Sequence, residues 1–274
     1  MSYPLPDPPI DPPGPPVPVP ALVPGQPPIA LLIDYDGTIA QTDVSDALMA
    51  EFVNADWESH VAAYDAGTVG SRRLMAWEAG LITANPVELA AKAAAQPHDA
   101  SFVPFAEAAR AAGIPVEVVS DGFGFFIEPA LAALGVGWIP VVTAAMSFDG
   151  ERAAMTFPNG NAACFLCGTC KRERVLAHQA AGRRVVFIGD GESDRFAAGY
   201  ADVVFAKHSL ERYMRERGWP FERWTEFGEI HRWLDRELAS FAADPASLPG
   251  PVPRPLFCGA EVWGPGRIDP PDAS

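Results

Sequence analysis

Short apolar segments that alternate with amphipathic ones constrain the fold of this chain more than any other feature of its sequence. The apolar segments lie at 30–33, 114–119, 137–145, 184–189 and 201–206. Between several of them, apolar residues recur three and four positions apart, which is the spacing of an amphipathic helix. Alternating strands and helices favour a parallel sheet with helices on both faces. The sequence therefore predicts an α/β fold with a doubly wound, Rossmann-like parallel sheet.

Residues 43–97 interrupt this alternation, because they carry helical patterns and no strand pattern. We interpret them as a small helical cap inserted after the first strand. The α/β core would then comprise residues 29–42 and 98–243. Within the core, alternating residues on both sides of Asp149-Gly150 predict a β-hairpin.

Proline dominates both ends of the chain. Residues 1–28 contain the run PLPDPPIDPPGPPVPVP, and residues 244–274 are rich in proline and glycine. Proline cannot donate a backbone hydrogen bond to a helix or a sheet. We therefore predict a disordered proline-rich arm at 1–28 and an irregular tail at 244–274. The arm lacks the basic start and unbroken apolar stretch of a secretory signal.

Composition restricts the partners and the compartment. The formal net charge is −15, whereas nucleic acids and anionic membranes both require a basic face. The sequence has no segment long and apolar enough to span a bilayer. Four cysteines, three of them clustered, are more typical of a cytoplasmic protein than of a disulfide scaffold. We expect a cytoplasmic protein with a small-molecule ligand and neither nucleic acid nor membrane as partner; a homodimer stays open.

Polar turns directly follow three of the predicted strands. They are residues 34–38 (DYDGT), 120–122 (SDG) and 189–194 (GDGESD). In a doubly wound sheet, the carboxyl ends of neighbouring strands open into one crevice. We therefore expect these turns to converge on one site.

The residue types in these turns suit phosphoryl transfer. Asp34, Asp36 and Asp190 would offer oxygen ligands to Mg²⁺. Asp34 could attack the phosphorus of an ester to give an aspartyl-phosphate, and Asp36 could protonate the leaving oxygen and later activate water. Lys171, at a predicted helix start, would neutralise phosphate charge. Asp194 would orient Lys171 or a water at the metal.

Hydroxyl and amide groups of the same turns would bind the phosphate. Thr38 and Ser120 supply hydroxyls, and the turn through Asp121 and Gly122 supplies backbone N–H groups. Taken singly, each motif is also what a solvated turn, a capped loop or a surface lysine would show. Their joint order favours the functional interpretation, because each motif follows a strand or opens a helix.

With these motifs, the chain resembles the haloacid-dehalogenase (HAD) superfamily of aspartate-nucleophile phosphatases over nearly all of residues 29–242. DYDGT resembles the first motif of that superfamily, Ser120 the second, Lys171 the third and GDGESD the fourth. The helical insertion resembles the cap of the phosphoserine-phosphatase-like branch, subfamily IB.

The resemblance implies a role for each matching residue. Asp34 would be the nucleophile, and Asp36 the general acid and base that also offers its backbone carbonyl to Mg²⁺. Asp190 would be a metal ligand. Dehalogenases of the superfamily lack the second aspartate of the first motif, so its presence argues against dehalogenation.

The loop before Lys171, FPNGNAACFLCGTC, resembles the cysteine-bearing loop of 2-hydroxy-3-keto-5-methylthiopentenyl-1-phosphate phosphatases and of phosphoethanolamine/phosphocholine phosphatases. Cys164, Cys167 and Cys170 have Cys-x-x-Cys-x-x-Cys spacing, and Cys258 could complete a structural Zn²⁺ site. The alternative is a set of partly buried loop cysteines. Three of the four cysteines lie in one short run, which favours that alternative, because zinc sites usually show two separated pairs of ligands.

Two residues of the cap are candidates for substrate recognition. Asp43 lies nine residues after Asp34, where the phosphoserine-phosphatase-like branch has an acidic residue that faces the substrate. Asp43 could equally be an exposed aspartate at a helix start. Arg72 or its neighbour Arg73 could contact a substrate carboxylate, and the alternative is a pair of surface arginines.

The sequence thus predicts a Mg²⁺-dependent phosphomonoesterase that acts on a small phosphorylated metabolite through an aspartyl-phosphate. Two alternatives stay open. A phosphotransferase or mutase would pass the phosphoryl group to another acceptor, which a cap that excludes water would favour. A non-catalytic binding protein would use its proline-rich arm, although such a protein has no reason to keep four costly buried charges.

Overall fold

The computed structural model describes residues 14–161, 164, 166–251 and 258. Its strands are β1 Ile29–Ile33, β2 Val116–Val119, β3 Val141–Val142, β4 Ala145–Asp149, β5 Arg152–Thr156, β6 Arg184–Gly189, β7 Val203–Ala206 and β8 Glu222–Arg223. Its α-helices are α1 Val44–Phe52, α2 Glu58–Asp65, α3 Ser71–Leu81, α4 Pro86–Ala94, α5 Phe102–Ala111, α6 Ile127–Ala133, α7 Lys171–Ala180, α8 Arg195–Tyr200, α9 His208–Glu216 and α10 Phe227–Ala243.

A parallel sheet forms the centre of the fold, which confirms the predicted α/β class. Among the described residues it has six strands in the order β3-β2-β1-β6-β7-β8, and each neighbouring pair is parallel. All of β1 is buried, as expected for a strand that is apolar on both faces and covered by helices. β1 lies between β2 and β6, so the turn that follows it lies at the middle of the sheet edge.

The two ends of the helical insertion meet beside the sheet. Gln41 N–H donates to Pro97 O at 2.8 Å, and Asp99 N–H donates to Ile39 O at 3.0 Å. Helices α1 to α4 lie between these contacts along the chain. The division into a cap at 43–97 and a core stays a prediction.

The predicted hairpin is present and joins the helical insertion. β4 pairs with β5 in antiparallel register, with Asp149 opposite Arg152. Ala84 N–H, just beyond α3, donates to Glu151 O at 3.0 Å. Helix α2 lies inside the predicted helical segment, and Asp56 Oδ1 accepts a hydrogen bond from Ser59 N–H at 3.3 Å near its start.

Residues 14–28 contact the body of the protein, which differs from the predicted disorder of the arm. Arg174 Nη1 donates to Val17 O at 2.8 Å, and Arg183 Nη1 donates to Pro20 O at 2.6 Å. Proline removes a donor from the backbone but keeps the carbonyl acceptor. A proline-rich segment can therefore bind to a surface that supplies its own donors. Residues 1–13 of the predicted arm lie outside the described residues.

The tail is described only in part. Residues 244–251 and Cys258 belong to the described residues, and Cys258 N–H donates to the hydroxyl of Tyr200 at 3.2 Å. The other residues of the predicted tail lie outside that range. Across the described part of the chain, no helix has the length and apolar character required to cross a bilayer.

Candidate active site

The turns that follow β1, β2 and β6 meet at one edge of the sheet. Because β1 pairs with both β2 and β6, Asp34, Ser120 and Asp190 lie beside one another at the carboxyl ends of these strands. All three line a cavity of about 350 Å³, here called the active-site cavity. Residues of α1, α2 and α3 provide the opposite wall. The predicted convergence of these turns is present in the structure.

Asp34 lies directly after β1 and is 4% exposed. Its Oδ1 accepts a hydrogen bond from Tyr35 N–H at 2.8 Å and lies 2.8 Å from Lys171 Nζ. Burial raises the pKa of Asp34, the carboxylates of Asp194 and Asp190 raise it further, and Lys171 opposes them. Since like charges crowd this carboxylate, another cation is needed to keep Asp34 ionised.

Lys171 is the first residue of α7, and its ammonium lies among acidic groups. Its Nζ lies 2.7 Å from Asp194 Oδ1 and 2.9 Å from Ser193 Oγ. Burial lowers the pKa of Lys171, but the carboxylates of Asp194 and Asp34 raise it by more. The ammonium therefore stays charged and can meet an anion next to Asp34.

The acidic groups at this edge fit a divalent cation. Carboxylate oxygens of Asp34, Asp190 and Asp194 lie within 4.8 Å of one another. Asp194 is already engaged, because its Oδ1 contacts Lys171 and its Oδ2 accepts from the N–H groups of Asp190 and Gly191 at 2.9 and 3.0 Å. Oxygen donors at this spacing suit Mg²⁺. Asp34 and Asp190 would hold the ion, and Asp194 would support both Asp190 and Lys171.

Two glycines allow the turns to approach the carboxylates closely. Gly37 has a φ of +64°, and a Cβ at this position would overlap Asp190 Oδ2. A Cβ at Gly122 would lie 2.5 Å from Asp36 Oδ2. Both distances are too short for a Cβ atom. Glycine, which has no side chain, therefore lets the backbone lie this close to the oxygens of Asp190 and Asp36.

Asp36 is oriented towards the helical insertion. Its Oδ1 accepts from the N–H of Val44, the first residue of α1, at 3.0 Å. Burial and the carboxylate of Asp43 raise the pKa of Asp36. A carboxyl group with a raised pKa keeps its proton to a higher pH, which favours donation of that proton to a leaving oxygen. The side chain thus has the environment that the predicted acid and base role requires.

The two predicted hydroxyl donors have different surroundings. Ser120 is fully buried and lines the active-site cavity, and its Oγ accepts from Gly122 N–H at 3.2 Å. Thr38 Oγ1 instead donates to Asp190 Oδ1 at 3.1 Å. Thr38 is not among the described residues that line the cavity. The structure therefore places Ser120 beside the substrate space and Thr38 behind a predicted metal ligand.

Asp121 connects the second turn to two other parts of the protein. Its Oδ1 accepts from Thr169 N–H at 2.6 Å, in the loop before Lys171. Its Oδ2 accepts from the hydroxyl of Ser71, the first residue of α3. Burial raises the pKa of Asp121 to about 6, although Lys171 lowers it. This carboxyl group therefore holds the cysteine loop and the helical insertion against the site.

The two candidate recognition residues of the helical insertion differ in position. Asp43 lines the cavity, and its Oδ1 also accepts from Asp46 N–H at 2.9 Å, so it caps α1 as well. Arg72 is 2% exposed, which contradicts the surface alternative. Its guanidinium lies 4.9 Å from the centroid of the Phe157 ring. Since Arg72 is not among the described cavity residues, its contact with a substrate carboxylate is not supported.

The cysteines show no zinc geometry. Cys164, Cys170 and Cys258 are buried, and Cys167 is half-buried. Within the described residues, the three-residue group whose ligand atoms lie within 4.8 Å of one another is the acidic one named above, and the cysteines form no such group. Burial raises the pKa of the Cys167 and Cys170 thiols. The structure therefore does not support a zinc site, and the buried or partly buried cysteines match the alternative to zinc.

A buried ion pair behind Lys171 was not predicted. Arg174 Nε and Nη2 donate to the two carboxylate oxygens of Glu117, on β2, at 2.6 and 2.7 Å. His178 Nε2 lies 3.5 Å from the same carboxylate. Arg174 and His178 follow Lys171 at helical spacing, so one face of α7 carries all three. A glutamate within an apolar strand signals a buried partner, but only the structure identifies that partner.

Residues after β7 were also missed. His208 and Ser209 line the active-site cavity, and His208 Nδ1 lies 3.2 Å from Asp190 Oδ2. His208 has a φ of +49°, which is uncommon for a residue other than glycine. The rule that located the other turns, that ligands bind at the carboxyl ends of strands, applies to β7 as well.

Known proteins resemble this chain in sequence and in fold. Residues 31–198 match the family described as haloacid dehalogenase-like hydrolase. The chain is 27% identical, over 215 residues, to 2-hydroxy-3-keto-5-methylthiopentenyl-1-phosphate phosphatase of Brevibacillus brevis, which covers 76% of this chain and 96% of that protein.

Two solved structures share the fold. A phospho-aspartyl intermediate analogue of phosphoserine phosphatase superposes with a TM-score of 0.59 at 17% identity, covering 76% of this chain and 99% of the other. A probable phosphoserine phosphatase from Vibrio cholerae superposes with a TM-score of 0.60 at 15% identity, covering 79% of this chain and 67% of the other.

Proposed function

This chain belongs to the haloacid dehalogenase-like hydrolase family, and we propose that it is a Mg²⁺-dependent phosphatase that hydrolyses a small phosphate monoester through an aspartyl-phosphate. One observation carries the proposal: Lys171 Nζ lies 2.8 Å from Asp34 Oδ1 and 2.7 Å from Asp194 Oδ1, with Asp190 in the same acidic group. This arrangement pairs a nucleophilic carboxylate with a fixed cation and with oxygen donors for a metal.

The proposed reaction has two steps, transfer of the phosphoryl group to Asp34 and its release to water, and the described residues would serve both. Asp34 Oδ would attack phosphorus as the ester oxygen leaves, and Asp36 would give that oxygen its proton. Asp36 would then take a proton from the water that releases phosphate from Asp34. Lys171 and Ser120 would bind the transferring phosphoryl oxygens through their ammonium and hydroxyl groups. A bound Mg²⁺ would neutralise phosphate charge next to Asp34 and Asp190.

The names of the similar proteins support the proposed phosphatase reaction. The Brevibacillus brevis relative is named as a phosphatase of a phosphorylated keto compound, and the structural neighbours are named as phosphoserine phosphatases. These names agree on hydrolysis of a phosphate monoester and differ in the leaving group. We therefore propose hydrolysis of a phosphate monoester for this chain and do not carry over the leaving group of any relative.

A panel of phosphate monoesters tests the proposal directly. Phosphate release from p-nitrophenyl phosphate and from small metabolite esters should require Mg²⁺ and stop in EDTA. Ca²⁺ should inhibit, because it prefers more ligands at longer distances and would loosen the geometry around Asp34. Full activity in metal-free buffer, or no hydrolysis of any ester with Mg²⁺, would contradict the proposal.

A further inference from the structure

Lys171 lies at the start of α7, where a helix is least stable by itself because its first N–H groups lack partners within the helix. In the described part of the chain, the side chain of Cys170 at the N-cap of α7 makes no capping hydrogen bond. The ammonium of Lys171 must nevertheless lie beside Asp34, at 2.8 Å. Its position therefore depends on the contacts that the residues on either side of Lys171 make with the rest of the protein.

Two contacts with β2 and the turn after it bracket Lys171. Two residues before Lys171, Thr169 N–H donates to Asp121 Oδ1 at 2.6 Å. Three residues after it, Arg174 donates through Nε and Nη2 to the two carboxylate oxygens of Glu117, at 2.6 and 2.7 Å. Glu117 and Asp121 precede and follow the predicted phosphate-binding serine in the sequence. The segment that carries the lysine is thus fixed on both sides to the segment that carries that serine.

The contact after Lys171 is a bidentate ion pair inside the protein. Glu117 is 3% exposed and Arg174 is 7% exposed. Burial raises the pKa of Glu117, but hydrogen bonds from Arg174 and His178 lower it by more, so the carboxylate stays charged. Two parallel N–H···O bonds between planar groups fix direction as well as distance. The pair therefore limits how far α7 can turn or slide along β2.

The same strand is the sheet neighbour of β1, which leads to the predicted nucleophile. Glu117 on β2 lies opposite Leu32 on β1, two residues before Asp34. Paired strands in the middle of a sheet are among the last parts of a protein to open. The ion pair therefore relates the start of α7 to Asp34 through a short path of rigid structure.

We propose that Glu117 and Arg174 are positioning residues, which hold Lys171 in register with Asp34 and Ser120 so that its ammonium meets the transferring phosphoryl group. The inference rests on the proposed phosphatase function, because Lys171 acts on phosphate only in that reaction. Apolar residues of similar volume can often replace a buried ion pair without loss of stability. Stability alone therefore does not account for this pair.

The double variant Glu117→Leu/Arg174→Met tests the role, since it removes both hydrogen bonds and leaves no unpaired charge in the interior. Its hydrolysis of p-nitrophenyl phosphate should be measured with Mg²⁺, together with inhibition by orthovanadate and by inorganic phosphate. Orthovanadate can take the five-coordinate geometry of a transferring phosphoryl group, whereas phosphate keeps the tetrahedral geometry of the product. A contact that matters most in the transition state should therefore affect vanadate more than phosphate.

In the double variant, kcat/KM should fall by about tenfold to a hundredfold, as expected for a small displacement of a catalytic group. The inhibition constant of vanadate should rise by the same factor, and that of phosphate by about threefold or less. Inhibition constants do not depend on how much of the enzyme is folded, so a loss of folded protein alone would leave both unchanged.

Arg174→Lys gives a second test that does not depend on the folding of the double variant. Lysine keeps the positive charge but cannot make both bonds to Glu117, so the vanadate constant should rise by about threefold to tenfold. Val175→Ala is the matched control on the same helix. Val175 is fully buried, so its truncation should lower the melting temperature and leave both inhibition constants at their wild-type values.

Each outcome bears on a different statement. Wild-type kcat/KM and vanadate inhibition in both ion-pair variants would overturn the positioning role and leave the phosphatase function standing. An equal rise of the two inhibition constants, or the same rise in Val175→Ala, would also overturn it, because the pair would then support the site only as part of the general fold. Failure of the wild-type protein to hydrolyse any phosphate ester with Mg²⁺ would overturn the proposed function, and the positioning role with it.

Discussion

Lys171 Nζ lies 2.8 Å from Asp34 Oδ1, and both side chains are almost fully buried. The two residues come from a helix start and a strand end that are distant in sequence. The ammonium offsets part of the cost of burying the Asp34 carboxylate. It also remains paired with Asp194 if Asp34 is neutralised. The site therefore tolerates loss of the nucleophile better than loss of the lysine.

Asp34→Asn should abolish turnover and keep the fold. Removal of the nucleophile should lower kcat by about a thousandfold or more. The melting temperature should not fall, because the change removes repulsion from Asp194 and Asp190 and leaves Lys171 with a partner. Phosphate release and thermal unfolding should be compared with those of Asp149→Asn, at the hairpin turn. Retention of a tenth of the wild-type rate would refute the covalent mechanism.

Asp36→Asn should slow the second half-reaction more than the first. With p-nitrophenyl phosphate, whose leaving group needs no proton, the phospho-enzyme should still form. Its hydrolysis should slow by about a hundredfold or more, because the base that activates water is missing. Rapid mixing should show a burst of p-nitrophenol close to one per enzyme, followed by slow release. A steady-state rate equal to that of the wild type would contradict this role for Asp36.

Asp121 should make stability fall as pH rises. The folded-state pKa of Asp121 is about 6, above the unfolded value of about 3.9, so the folded protein binds this proton more tightly. The resulting stabilisation is complete below the unfolded pKa and is lost as pH rises through 6. Asp121→Asn lacks this titration. Between pH 4 and 7, the free energy of unfolding of the wild type should therefore fall by about 2 kcal/mol relative to the variant.

Urea unfolding in EDTA at several pH values checks this expectation without a contribution from metal binding. Asp149→Asn, at the exposed hairpin turn, serves as the control and should follow the wild type. A difference between wild type and Asp121→Asn that does not vary with pH would show that Asp121 ionises as freely in the folded protein as in the unfolded one.

Removal of the arm should destabilise the protein only when the truncation includes the residues that contact the body. A truncation of residues 1–13 keeps the hydrogen bonds from Arg174 to Val17 O and from Arg183 to Pro20 O. A truncation of residues 1–24 removes both. The longer truncation should lower the free energy of unfolding by about 2 kcal/mol relative to the shorter one, because two charged donors lose their acceptors. Equal urea midpoints would show that these contacts add no stability.

The strands and their polar ends follow from local sequence. The short apolar run before Asp34 favours a buried strand, and an Asp-Gly turn between alternating residues closes the hairpin with Asp149 opposite Arg152. The rule that parallel strands end at a common edge then brings Asp34, Ser120 and Asp190 together. Because this reasoning uses periodicity and chain direction alone, the fold class and the catalytic edge could be predicted without coordinates.

Only the tertiary structure decided which side chains meet across elements. Periodicity shows that α3 is a helix but not that Ser71 and Leu74 line the cavity while Arg72 packs on Phe157. Proline content predicts an arm without ladder hydrogen bonds, but not that Arg174 supplies a donor to its carbonyl. Such contacts depend on how each helix is rotated and where each loop crosses the body. Long-range packing sets both, and no local pattern in the sequence records it.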